Sequence, residues 1–184
     1  MDAALRLGRI AGIPVGVHPS WFVALAVITL SLAQGFFPQS YPGWSEVTYW
    51  AAGFVAALAL FLSVLLHELR HAAAARARGL AVESITLFIF GGVAHIRSEA
   101  DSPRDEFFIA VVGPVASVLI GGVSWLAARA LGVADVPLRA ILEYLGMVNV
   151  MLAIFNLLPG YPLDGGRVLR AILWGATGSM ARAT

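Results

Sequence analysis

The chain has 184 residues, of which 59% are hydrophobic and only 12% charged, about half the charged share of an ordinary soluble domain. A net charge of +1 with no basic patch excludes a nucleic-acid-binding surface. The absence of cysteine excludes disulfides, thiolate nucleophiles and cysteine-based zinc sites. What remains is an integral membrane protein, with long uncharged runs separated by short polar turns.

Residues 4–18 alternate loosely, which predicts a short, extended N-terminal strand lying at an interface and ending at His18. A lone histidine beside the start of a span reads as interfacial or structural. No charge occurs from Trp21 to Ser45, and a first span at about 21–37 is long enough to cross, tilted or not. Pro38, Pro42, Trp44, Tyr49 and Trp50 then predict an aromatic belt at the membrane surface. The second span, about 48–78, stays uncharged as far as Leu66 and continues as helix through His67-Glu68-Leu69-Arg70-His71, with Gly79 as its stop.

On a helix, His67 and His71 stand at i and i+4, on one face and about 6 Å apart along the axis. That is close enough to share one metal ion. Zinc binds imidazole nitrogen at roughly 2.0–2.1 Å, and catalytic zinc takes three protein ligands and a water. A glutamate between the two histidines is the usual general base for that water. The competing reading is a pair of core histidines. Membrane depth weighs against it, because ionisable groups there are expensive and usually functional. With Arg76 and Arg78 marking the interface, His71 lies about 8 Å and His67 about 13 Å inside it, so water must arrive through a protein-lined cavity.

Residues 81–97 alternate and are interrupted by Gly91-Gly92, which predicts a β-hairpin, either a plain surface hairpin or an edge that pairs with an extended peptide. Asp101–Glu106 forms a polar turn, and a third span follows at about 106–130. Its Gly113-Pro114 pair, with Ala116, Gly121 and Gly122, offers a small-residue face for close helix contact. After a loop at Gly132–Pro137 comes a fourth span at about 140–159, carrying Asn149 and Asn156, two amides that lipid disfavours. The start of a further helix lies at Gly165–Trp174. Residues 1–184 thus read as one domain, an all-α polytopic bundle of about four spans with a short N-terminal strand and a hairpin between spans two and three. Nine arginines fall on the side holding the N-terminus, the hairpin and the end of span four, against Arg129 and Arg139 opposite. The positive-inside rule makes that side, and the histidines near it, cytoplasmic.

A metal site needs a third ligand at the depth of the histidines. Glu83, Glu99, Asp101, Asp105 and Glu106 sit near turns and read as solvated. Asp164 is the only carboxylate within the apolar stretch that span four delivers to the same side. Two prolines stop regular helix before it, and Gly165-Gly166 allows a sharp backbone turn after it. Its other reading is an N-cap for the following helix.

The motif His67-Glu68-Leu69-Arg70-His71, followed about ninety residues later by Asn156-Leu-Leu-Pro-Gly-Tyr-Pro-Leu-Asp164-Gly165-Gly166, resembles that of the site-2 proteases, intramembrane zinc metalloproteases. Phe90-Gly91-Gly92-Val93 and Gly113-Pro114 fit as well, and the resemblance covers roughly residues 5–174. It implies that His67, His71 and Asp164 ligate zinc, that Glu68 activates water, and that Asn156 stabilises the tetrahedral oxyanion. It implies a membrane-embedded protein substrate, such as a single-span anti-sigma factor, cleaved in or near its membrane segment within the lipid bilayer, with a homo-oligomer left open. The span count and hairpin look like the branch whose members end in cytosolic nucleotide-binding CBS domains. With no such domain in 1–184, and the chain stopping at Ala183-Thr184, a truncated membrane core is expected. Many relatives carry a small residue where this chain has Arg70, which either snorkels to the membrane face or lines the substrate path.

Three other readings compete. A membrane zinc-binding protein or transporter without protease activity would want several ligands along a path, and only one cluster occurs. An idle membrane scaffold needs no Glu68. A membrane protease whose third ligand is a distal glutamate would keep its metal without Asp164.

Overall fold

The computed structural model of the chain describes residues 5–132 and 136–180. Residues 133–135 of the predicted loop, and Ala183–Thr184, where a truncation is expected, lie outside the described residues. Among the described residues, four helices are long and apolar enough to cross a membrane: α1 (Ser20–Ser40), α2 (Glu46–Ala77), α3 (Pro103–Ala130) and α4 (Pro137–Asn156). A shorter helix, α5 (Asp164–Thr177), ends the described chain.

The helix boundaries follow from local chemistry. Helices α3 and α4 start three residues before the expected spans because Pro103 and Pro137 occupy their first positions, where a fixed φ and a missing N–H cost nothing. Ser102 caps α3 by accepting from the Asp105 N–H at 3.1 Å, and Ser45 caps α2 through Thr48 at 3.2 Å. Gly79, at φ +81°, ends α2 as expected. Helix α4 stops at Asn156, short of the expected 159, since Pro159 cannot continue it. In α1 the Leu32–Phe36 turn widens to a π-helix just before Pro38, whose ring and missing N–H disturb the bond to the residue four back.

The N-terminal segment is two strands rather than one. β1 (Leu5–Ile10) and β2 (Ile13–Val17) form an antiparallel hairpin that turns at Ala11 and Gly12, with φ of +50° and +78°. Loose alternation on both sides of Ala11-Gly12 made the segment read as continuous. β3 (Val82–Phe88) and β4 (Gly91–Ile96) form the expected second hairpin, and the sheet runs β1-β2-β3-β4 with β2 and β3 parallel, Val15 opposite Ile85. Val15, Val17, Ile85 and Leu87 pack on Val64, Leu65 and Ala72 of α2. The sheet is thereby seated on the helix that carries the histidines, with β4 as its edge.

Close helix contacts use glycine. A Cβ at Gly146 would stand 2.2 Å from the Trp125 ring, and one at Gly121 would stand 3.0 Å from the Gly146 carbonyl, so α3 and α4 touch at backbone distance. Asn149 is fully buried and donates to Ser63 Oγ at 3.1 Å, hidden from lipid. The aromatic belt is a stack, with Tyr41 and Trp44 rings 5.3 Å apart and Trp44 and Tyr49 rings 5.6 Å apart.

Glu106 departs from its solvated reading. It is 1% exposed, held by Arg170 Nη2 at 2.7 Å and Arg167 Nε at 3.0 Å. A buried carboxylate is tolerable only when paired in this way, and the pairing fastens α5 to the start of α3. Asp105 likewise pairs with Arg78, whose guanidinium lies over the Phe108 ring.

Candidate metal centre

Three side chains converge from two distant parts of the chain. His67 Nε2 and His71 Nε2 are 3.1 Å apart, and each is 3.1 Å from Asp164 Oδ2. All three residues are buried. Asp164 is the first residue of α5 and its side chain caps nothing; Leu163 holds the N-cap position, so the capping reading of Asp164 does not hold. Gly165 and Gly166 lie inside α5 rather than in a turn. Cβ atoms there would stand 2.3 Å from the Leu157 carbonyl and 2.7 Å from the Gly160 carbonyl. The glycines let the helix start press against the preceding loop, and this brings Asp164 to the histidines.

The second nitrogen of each ring is engaged by α3. His71 Nδ1 lies 2.6 Å from the Ile109 carbonyl and His67 Nδ1 lies 2.9 Å from Ser117 Oγ. A carbonyl only accepts, so His71 Nδ1 donates and, in the neutral ring, its Nε2 carries a lone pair toward the centre; the Ser117 hydroxyl can accept from His67 in the same way. Lone pairs of two nitrogens and a carboxylate oxygen then face one another at 3.1 Å, an arrangement that a cation relieves. Tetrahedral zinc ligands at 2.0–2.1 Å stand about 3.3–3.4 Å apart, so the spacing fits one zinc ion with outer partners of the usual kind. Gly113 completes the cradle, because a Cβ there would stand 2.1 Å from His71 Nε2 and 2.6 Å from His67 Nε2.

Ile109, Gly113 and Ser117 were missed as parts of the site. They recur at intervals of four, one face of α3, and run antiparallel to His71 and His67. That register was present in the sequence, but only the pairing of α2 with α3 gives it meaning.

Beside the three converging side chains lies a cavity of about 390 Å³, lined by Glu68, Asn156, Asp164, Arg167 and strand β4. Glu68 is half-buried and its carboxylate faces the backbone of Ala94. Gly91 and Gly92 belong to β4 instead of breaking the hairpin, whose turn falls at Ile89-Phe90. A Cβ at Gly92 would stand 2.6 Å from Glu68 Cγ, so the strand passes close over the glutamate. Asn156 reaches the cavity wall with its Nδ2 donating to Leu152 O of its own helix at 2.9 Å. Arg70 does not line this cavity.

The sequence pattern of peptidase family M50 matches residues 55–134 and 129–184. A putative zinc metalloprotease of Synechocystis is 44% identical over 97% of this chain and 46% of its own length. A putative zinc metalloprotease of Mycobacterium tuberculosis, Rip3, is 44% identical over the whole of this chain and 47% of its own length. The chain spans about half the length of the curated relatives it matches. Among solved structures, the site-2 protease from Methanocaldococcus jannaschii superposes with a TM-score of 0.67 and 34% identity, covering 94% of this chain and 72% of that one. Four membrane-length helices, a two-histidine, one-aspartate cluster and these likenesses lead to one assignment: the chain is a multi-pass membrane protein of peptidase family M50, the site-2 protease family.

Proposed function

We propose that the chain is the catalytic membrane core of a zinc metalloendopeptidase that hydrolyses a peptide bond in or near a transmembrane segment. The observation that carries this reading is the convergence of His67, His71 and Asp164, the last two at the wall of a cavity that Glu68 and strand β4 also line. His67, His71 and Asp164 are the residues that would hold the metal. When bound, zinc supplies a Lewis acid that activates water and polarises the scissile carbonyl.

The remaining steps belong to the chain. Glu68 takes a proton from the attacking water and returns it to the leaving amine, a base turned acid. Gly92 leaves room for that side chain to stand between β4 and the histidines. Asn156 turns its amide from Leu152 O toward the developing oxyanion; a lost donor of this kind costs about 100- to 1,000-fold in rate. A membrane helix hides its own carbonyls, so the substrate must unwind, and extended backbone at that depth must be satisfied by protein. The Arg97 N–H donates inward to Ala81 O at 2.9 Å, so strand alternation turns the N–H groups of Ala94 and Ile96 outward, Ala94 toward the Glu68 carboxylate and Ile96 along the open edge. That edge offers pairing to an extended substrate strand.

In this reading the substrate is a membrane-embedded regulator, such as a single-span anti-sigma factor. The N-terminus and the metal centre lie on the cytoplasmic side, which the nine-to-two arginine distribution supports. The test pairs wild type with Glu68→Gln in proteoliposomes containing a panel of single-span membrane proteins. Both should hold about one zinc per chain, and only wild type should cleave. Equal cleavage by Glu68→Gln removes the proposed base, and zinc flux without cleavage by wild type favours a transporter.

A further inference from the structure

Arg70 stands apart from the chemistry just described. Its neighbours in sequence, Leu69 and His71, are half-buried and buried, but Arg70 is exposed. Among the described residues no hydrogen bond or ion pair engages its side chain. It lies six residues before Arg76 on α2, about 9 Å further along the helix axis. A guanidinium at that depth is costly unless it finds an anion or reaches the headgroups.

Two apolar grooves meet at this side chain, sharing Leu66 and Arg70. One, of about 480 Å³, runs between α2 and α3 from Phe107 past Val111 to Leu119. The twelve residue steps from Phe107 to Leu119 correspond to about 18 Å along α3. The other, of about 440 Å³, lies between α2 and the β1–β2 turn, against Ile10, Ile13 and Leu69, and ends at Arg76. Arg76 gives one of its five N–H groups to Ala11 O at 2.6 Å and keeps the rest for another acceptor.

We propose that Arg70 and the grooves on either side of it form a binding site for an anionic phospholipid, with the phosphate on Arg70 and Arg76 and the acyl chains in the grooves. Charge complementarity selects this occupant. The surface is apolar except for two arginines, and a guanidinium fork matches phosphate oxygens in pairs. A transmembrane helix would fill the grooves but leave Arg70 without an anion. Basic pockets between membrane helices hold anionic headgroups by the same logic. The site is on a face of α2 outside the catalytic cavity, so the proposal stands or falls independently of the roles given to Glu68 and Asp164.

The test is native mass spectrometry of the detergent-purified chain, offered equimolar phosphatidylglycerol and phosphatidylcholine with the same acyl chains. Wild type should retain phosphatidylglycerol preferentially, by about fivefold for each arginine acting on the phosphate. Arg70→Gln should lose about fivefold of that preference, and Arg70→Lys should lose less. Arg129→Gln, an exposed arginine remote from the grooves, should lose none. Equal binding of the two lipids by wild type overturns the proposal without reference to any variant. Unchanged preference in Arg70→Gln overturns it as well. So does a photoreactive group at position 119 that captures an apolar transmembrane peptide instead of phosphatidylglycerol, which would make the groove a helix-docking face.

Discussion

Replacing Gly113 with alanine tests the proposed metal centre without changing His67, His71 or Asp164. The added Cβ would stand 2.1 Å from His71 Nε2 and 2.6 Å from His67 Nε2, where ordinary contact begins at 3.4 Å. One ring must therefore retreat by roughly 1.3 Å, several times the 0.2 Å tolerance of a zinc–ligand bond. The rings cannot retreat freely, since Ile109 O and Ser117 Oγ hold their far nitrogens at 2.6 Å and 2.9 Å. Loss of an outer partner alone costs about 10- to 100-fold in metal affinity, so displacement of a ligand ring should cost at least about 100-fold. Overpacking of this size typically destabilises by about 1–3 kcal/mol, so folding is read separately from metal binding. The assay is zinc per chain by elemental analysis after dialysis, alongside thermal unfolding in detergent. Gly122→Ala on the same helix is the control, because nothing lies within 4 Å of its Cβ. A Gly113→Ala protein that binds zinc within about threefold of wild type would mean that His67 and His71 do not hold the metal in this geometry.

Three further outcomes follow from the same geometry. Ser117→Ala removes the partner of His67 Nδ1 and should weaken zinc about 10- to 100-fold in a chelator competition. Asn156→Ala should keep its zinc and lower kcat by about 100- to 1,000-fold; an undiminished kcat assigns the oxyanion to another donor. Ile96→Pro removes an outward N–H from β4 while leaving the inward Arg97 bond to Ala81. It should slow cleavage of a membrane substrate and spare both zinc and thermal stability, and unchanged cleavage would discard strand pairing.

The sequence by itself determined the spans, the family resemblance and the two histidines' common face. Uncharged runs long enough to cross a bilayer need no tertiary information, and i,i+4 spacing on a helix sets two histidines side by side locally. The second hairpin was equally legible, because alternation has period two and glycines flag its turn region. Everything requiring two elements at once depends on how the helices and strands pack. Asp164 reads from sequence as ligand or cap, and only the pressing of Gly165 and Gly166 against the 157–160 backbone turns its side chain to the histidines. Glu106 reads as a solvated turn residue until α5 brings Arg167 and Arg170 over it. Gly113 reads as a general helix-contact glycine until α2 is laid against it and an imidazole pair fills the space its missing side chain leaves. A sequence records which residues share a helix face. Which face it meets is set by long-range packing, and that is what brings Asp164 to the histidines, their outer partners to their far nitrogens and the strand over Glu68.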